Sequence, residues 1–195
     1  MEILLIRHGL PIRVENDDGT PADPPLCGEG QDQAERMADW LEGEGIDAVY
    51  ASPLRRALET AAPLGKRLGL DIETEAGIVE FDSQSDFYIP MEELKRTDYE
   101  RWKRFVNQGY GEGVDIHAFQ RTVVTAIEGL IASNPRRRIA VVCHGGVINV
   151  WAAQVLGIPP RLFFDPTYTS INRFMAARSG ERSLVTLNER AHLRS

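Results

Sequence analysis

Two short, wholly apolar runs constrain the fold of this chain more than any other feature. Ile3-Leu4-Leu5-Ile6 and Ile139-Ala140-Val141-Val142-Cys143 contain no charged or amide side chain. A strand with one wet face alternates apolar and polar residues; an unbroken apolar run of strand length needs cover on both faces. Both runs also end alike, in Arg7-His8-Gly9 and in His144-Gly145-Gly146.

Strand and helix patterns alternate between and around these runs. Asn16 to Pro25 is dense in Asn, Asp, Gly and Pro and predicts a surface loop. Gly28 to Glu42 predicts a helix, with Ala34, Met37, Ala38 and Leu41 at helical spacing and Gly43 to Gly45 ending it. Ile46 to Ala51 predicts a strand. Pro53 then opens a helix whose inner stripe is Leu54, Ala57, Leu58, Ala61, Ala62, Leu64 and Leu68. Leu70 to Glu73 reads as a short third strand.

From Glu80 onward the period weakens. Phe81 to Pro90 reads as irregular, and Met91 to Val106 as a charged amphipathic helix carrying Tyr99, Trp102 and Phe105. Asp115 to Ser133 predicts a helix with Phe119, Val123, Ile127 and Leu130 inward. The basic stretch Arg136 to Arg138 reads as a solvated turn, and Val147 to Leu156 as helix. Ser170 to Ala177 and Leu184 to Asn188 form a closing pair of strands, with Ser179-Gly180 near the turn.

Buried strands alternating with helices predict an α/β fold: a three-layer α/β/α sandwich with a mostly parallel central sheet and an antiparallel edge strand. A chain of 195 residues suffices for one sizeable core, so the expectation is a single domain over residues 1–195, with a substrate-cap excursion around 81–113.

Composition excludes several classes. The chain is 43% hydrophobic and 26% charged with a net charge of −7, which speaks against general nucleic-acid binding while allowing a small basic pocket. The cysteines, Cys27 and Cys143, are too few for a disulfide scaffold. No signal peptide or membrane-spanning run is legible, so the expectation is a cytoplasmic protein with reduced thiols and no membrane partner. Self-association as a homodimer stays open.

In open α/β sheets, ligands bind beyond the carboxyl ends of the strands. Parallel neighbours would deliver His8 and His144 to one rim, with Arg7 beside them. The segment Ser52-Pro53-Leu54-Arg55-Arg56 brings a guanidinium, and Glu80 brings a carboxyl. Arginine forks match phosphate oxygens, an imidazole can serve as nucleophile, and a protonated carboxylic acid can donate to a leaving oxygen. No Asp-rich cluster suited to Mg²⁺ is legible, so the set predicts phosphoryl transfer without metal or cofactor on a small phosphorylated substrate. Gly43 to Ala48 fits a dinucleotide fingerprint by letter but precedes a strand instead of following one. A cysteine-dependent phosphatase loop starting at Cys143 fails because Asn149 stands where an arginine is needed.

Four segments, in order, resemble the histidine phosphatase superfamily, the group that includes the cofactor-dependent phosphoglycerate mutases. They are Leu5 to Gly9, Pro25 to Ala34, Ser52 to Ala61 and Val142 to Val147. The resemblance implies His8 as the phosphorylated nucleophile, Arg7 and Arg56 as the phosphate clamp, His144 as a stabiliser of transferred charge and Glu80 as proton donor. Arg55 would face outward. The sequence departs from the family pattern at Leu10-Pro11, where a polar pair is usual. It departs again at Cys27, in place of a Ser or Thr helix cap, and at Phe81-Asp82-Ser83 after the acid. Asp82 and Asp86 stay open as donors, and Asn16 as a phosphate ligand is out of register. Ser52 reads as an N-cap, and His117 and His192 as ordinary surface or helix residues.

The expected activity is therefore a metal-independent phosphomonoesterase. A mutase and an inactive phospholigand-binding module are the alternatives; the short chain and a middle segment not rich in Lys or Arg favour hydrolysis.

Overall fold

Alternate residues of the first apolar run serve two different cores. In the computed structural model, which describes residues 1–100, 102–103 and 114–194, strand β1 (Glu2–Arg7) sits inside a sheet covered on both faces. Ile3 and Leu5 face one helix layer, with Ile139, Val141 and Cys143 of strand β6 (Arg138–Cys143) beside them. Leu4, Ile6, Ala140 and Val142 face the other layer. Each fully buried Leu or Ile contributes about 1.5–3 kcal/mol of transfer free energy.

The first layer is formed by helices α4 (Ile116–Ser133) and α5 (Gly145–Leu156), through Val123, Ile127, Val147 and Trp151. The second is formed by α1 (Gly28–Leu41) and α2 (Arg55–Leu68), through Met37, Leu41, Ala57, Ala61 and Leu64. The sheet also contains β3 (Ala48–Ala51), β4 (Ile72–Thr74), β7 (Ile171–Ala176) and β8 (Arg182–Glu189), in the order β4-β3-β6-β1-β7-β8. Pairings β4-β3, β3-β6 and β6-β1 are parallel; β7 runs against both β1 and β8. The fold is thus mixed α/β with a mostly parallel sheet between helix layers, and the β7–β8 pair supplies the antiparallel edge.

β1 and β6 are neighbours, yet the helices that follow them pack on opposite faces. Their carboxyl ends therefore open into a crevice at the switch point of the sheet, where α/β folds bind ligands. The register pairs Arg7 with Cys143, which brings His8 and His144 to the same level.

Several expectations change. α2 begins at Arg55, after an N-cap at Leu54; its buried face includes Arg56 and Thr60, while Ala62 is exposed. The stripe is rotated because the helix start faces the crevice. One expectation stands: Cys27 occupies the N-cap of α1 in place of a Ser or Thr and makes no side-chain bond there. Phe81 to Pro90 is not wholly irregular: β5 (Phe87–Tyr88) pairs antiparallel with β2 (Val14–Glu15). The helix expected over Met91 to Val106 is broken, α3 (Met91–Thr97) ending at a non-helical Asp98. Beyond it Tyr99 and Trp102 stack at 5.4 Å; Phe105 lies outside the described residues.

Arg138 is not a solvated turn residue. It starts β6 and pairs with Glu2 at 2.5 Å and Glu44 at 3.4 Å. His192 is buried, its Nε2 3.1 Å from the Thr169 hydroxyl, whereas His117 is exposed. Among the described residues no helix is long and apolar enough to cross a membrane.

Candidate active site

Gly9 brings two stretches of backbone into contact directly after β1. A Cβ on Gly9 would lie 2.6 Å from the Gly30 carbonyl oxygen, and one on Gly30 would lie 2.0 Å from that of Leu10. Only glycine fits either position. The Gly9 amide donates to the Thr60 hydroxyl at 2.9 Å, and that hydroxyl donates to the Arg56 carbonyl at 2.7 Å. The His8 turn is thereby tied to the first turn of α2, which carries Arg56.

His8 is buried with its Nδ1 2.8 Å from the Gly9 carbonyl oxygen. A carbonyl can only accept, so Nδ1 carries the proton and Nε2 keeps its lone pair. Burial, then Arg56 and Arg7, hold the His8 pKa well below its usual value, so the ring is neutral. The ring centroid of His144 lies 5.2 Å away. His144 is likewise held neutral by burial and by Arg56, His8 and Arg7.

Ser52 supplies what an N-cap assignment does not. Its hydroxyl lies 2.8 Å from His144 Nε2 and only weakly accepts from the Leu54 amide, at 3.4 Å. When Ser52 donates to Nε2, the His144 proton resides on Nδ1, which is buried and has no acceptor among the described residues. Arg7 Nε and Arg56 Nε are buried and unpartnered in the same way. Arg7 borders the start of α5, 3.9 Å from where a Gly145 Cβ would stand. Three buried donors without acceptors at one crevice form a receptor for a compact anion.

Aromatic rings hold the two guanidinium groups. Arg7 lies over the Tyr168 ring at 3.9 Å and Arg56 over the Tyr88 ring at 4.8 Å. Tyr88 is delivered by the β2–β5 ribbon. Tyr168 precedes Thr169, which takes a left-handed φ of 57° and donates its amide to the Arg7 and His8 carbonyls at 3.0 and 3.3 Å. Arg7 also donates to the Pro166 carbonyl and meets Asp165 at 3.4 Å.

Glu80 is docked by backbone amides, accepting from Gly146 at 2.9 Å and Phe81 at 3.2 Å. A Cβ on Gly146 would lie 2.2 Å from Glu80 Oε1, so glycine is required for this docking. Burial and the neighbouring Asp82 raise the Glu80 pKa to about 7 against the opposing pull of the two amides and Arg56. The carboxyl is thus poised to hold or release a proton near neutral pH.

The structure brings Arg7, His8, Arg56, Glu80 and Asp82 to one cavity of about 360 Å³; His144 is not among its lining residues, its ring centroid lying 5.2 Å from that of His8. It leaves two others apart. Asp86 stands in a separate cleft, and Asn16 spends its side-chain amide on its own loop, donating to the Thr20 carbonyl at 2.9 Å. Arg55 faces outward and pairs with Glu59 at 2.7 Å.

Sequence reasoning overlooked Tyr88, Tyr168 and Asn149, and it read Ser52 only as a helix start. Asn149 accepts from the Phe163 and Phe164 amides at 2.9 and 3.3 Å, pinning a loop that walls the cavity. Of these residues only Ser52 carried a local signal, its place at the end of a strand beside the arginine pair. Tyr168 is far from the motifs in sequence, and Tyr88 and Asn149 gain their roles only through contacts with distant segments.

Comparison with known proteins gives a consistent answer. The family model described as the histidine phosphatase superfamily (branch 1) matches residues 3–190. Phosphoglycerate mutase-like protein 4 of Arabidopsis thaliana is 31% identical over 76% of this chain and 68% of its own length. Phosphoserine phosphatase 1 of Hydrogenobacter thermophilus is 25% identical over 73% of this chain and 70% of its own. The crystal structure of an Entamoeba histolytica phosphoserine phosphatase in complex with 3-phosphoglyceric acid superposes with a TM-score of 0.75 at 25% identity, covering 98% of each chain.

Proposed function

Because the chain belongs to the histidine phosphatase superfamily, whose relatives named above are phosphatases or mutase-like, we propose that it hydrolyses a phosphate monoester through a phosphohistidine on His8. The observation that carries this reading is the His8 ring itself: Nδ1 is committed to Gly9 at 2.8 Å, so Nε2 is an oriented, neutral nucleophile.

In the first step Nε2 attacks phosphorus in line and the bond to the ester oxygen breaks. Arg7, Arg56 and the Nδ1 proton of His144 hold the equatorial oxygens; they are fixed in place before the charge shifts. Glu80, protonated below a pKa of about 7, gives its proton to the departing alkoxide. In the second step water attacks phosphorus, the N–P bond breaks, and Glu80, now a carboxylate, takes the water proton. The sum is monoester plus water to alcohol plus phosphate. His8 supplies the nucleophile and the arginines the charge, so no step calls for a metal ion.

Rapid mixing with a radiolabelled monoester, followed by denaturation, tests this directly. The expected result is an acid-labile, base-stable label on His8, with a His8→Ala variant forming none and losing about 10⁴-fold or more in kcat. Turnover retained in that variant would refute the mechanism. Free phosphate appearing as fast as free alcohol distinguishes hydrolysis from mutase transfer to a second hydroxyl.

A further inference from the structure

The phosphoryl site occupies only the floor of the cavity. At about 360 Å³, the whole space is of the size that holds drug-sized ligands, roughly 300–1,000 Å³. Above the arginines its walls are Phe81, Phe87, Met91, Trp102, Phe163 and Phe164. This apolar lining is built in. The loop that carries Phe163 and Phe164 is held by Asn149, which accepts from both amides and donates to the Gly145 and Phe164 carbonyls at 2.9 and 3.1 Å. Asn149 lies on α5, the helix that starts next to His144, so the wall and the phosphate floor share one rigid support.

Above the floor the lining offers no second cation. Among the described residues lining the cavity, the cations are Arg7 and Arg56, and the acidic side chains are Glu80, Asp82 and Asp165, the last of which already pairs with Arg7. Burial already raises the Asp82 pKa, which means that negative charge is disfavoured there. A second anion on the substrate would leave water for aromatic walls and face these carboxyls.

Resting on the phosphatase reading above, we propose that the substrate is the phosphate monoester of an uncharged, apolar alcohol, aromatic or alkyl, and that a second anionic group on the alcohol is rejected. Phosphoserine and 3-phosphoglyceric acid, named with the relatives above, each carry a carboxylate on the alcohol part. On the same fold this chain therefore selects a different leaving group.

A homologous series tests the claim without changing leaving-group chemistry. With n-alkyl phosphates from methyl to hexyl, kcat/KM rises about fourfold per methylene until the cavity is filled. The hexyl chain ending in a carboxylate falls about 30-fold or more below hexyl phosphate. Trp102→Ala and Phe163→Ala flatten the rise, bringing kcat/KM for hexyl phosphate toward that for methyl phosphate. A flat series, or carboxylate-ended and phosphoserine substrates outrunning hexyl phosphate, would overturn the proposal. Calorimetric binding of hexylphosphonate against methylphosphonate reads the same preference without turnover. Equal affinities count against the apolar alcohol, whereas absence of hydrolysis with the preference intact counts against the phosphatase reading alone.

Discussion

Arginines gather at both ends of the central strands, and the two groups are treated in opposite ways. Near the amino ends of β1 and β6, Arg173 meets Glu2, Glu44 and Glu189 at 3.4, 3.1 and 3.1 Å, and Arg138 shares Glu2 and Glu44. At the carboxyl ends, Arg7 and Arg56 are more deeply buried, with side chains 6% and 1% exposed. Yet Arg7 has one largely solvated carboxylate, Asp165 at 3.4 Å, and Arg56 has one half-solvated carboxylate, Asp23 at 3.9 Å. Buried charge is ordinarily neutralised by its own protein. Where it is not, the missing partner is a ligand, so degree of burial alone would have singled out the wrong feature. What distinguishes the site is burial without compensation.

Replacing one cation at each end puts this contrast at risk. Arg56→Met should cost about 10³-fold in kcat/KM by removing a preorganised donor, while stability changes by less than about 1 kcal/mol or rises. Arg173→Met should do the reverse, leaving kcat/KM intact and lowering unfolding free energy by about 3 kcal/mol, because three carboxylates lose a shared partner. Denaturant melts and initial rates on both variants check the pair. If both lose stability equally, the two ends do not differ as described.

Glu80→Gln sharpens the picture of the carboxyl that shares the cavity with Arg7 and Arg56. Wild-type kcat/KM on alkyl phosphates should fall above about pH 7, where Glu80 loses its proton. The variant should run about 10²-fold slower below that pH and lack the alkaline limb. For a 4-nitrophenyl ester, whose leaving group needs no proton, kcat/KM should be nearly unaffected, while kcat falls because Glu80 still takes the water proton in the second step. Stability carries the same sign: the Glu80 pKa is raised on folding, so its contribution is complete below about 4.5 and is lost as pH rises through about 7. His8 and His144 act oppositely, contributing above about 6.5 and losing that contribution on acidification.

The smallest expected effect belongs to Ser52→Ala. Loss of the 2.8 Å bond to His144 Nε2 frees the ring to exchange tautomers, and kcat should fall about tenfold with KM little changed. A Ser52→Thr variant, which keeps the hydroxyl, should recover most of the rate. Equal damage in both variants would point to packing at the strand end instead of ring orientation.

The unequal legibility of these features has physical causes. The layers were legible because continuous apolar runs leave a strand no wet face, and Ile3 to Ile6 and Ile139 to Cys143 admit few other placements. Helix bounds held to within a few residues where caps are local, as at Gly69 and Gly157, each left-handed at a C-terminus. The broken helix after Thr97 and the β2–β5 ribbon were not legible, since both depend on contacts between distant segments. His192 reads from sequence as an ordinary surface or helix residue for the same reason: its partner, Thr169, is set by a turn that exists only after β7 joins β1.

The order of residues alone therefore determined the sheet with its two helix layers and marked which side chains could perform phosphoryl chemistry, because hydrophobic period and residue type are properties of neighbours along the chain. It could not determine how those side chains are aimed. The tautomer of His8, the Ser52 contact to His144, the raised pKa of Glu80 and the aromatic wall anchored by Asn149 each arise when remote segments exclude water from one another. Those choices belonged to the tertiary structure.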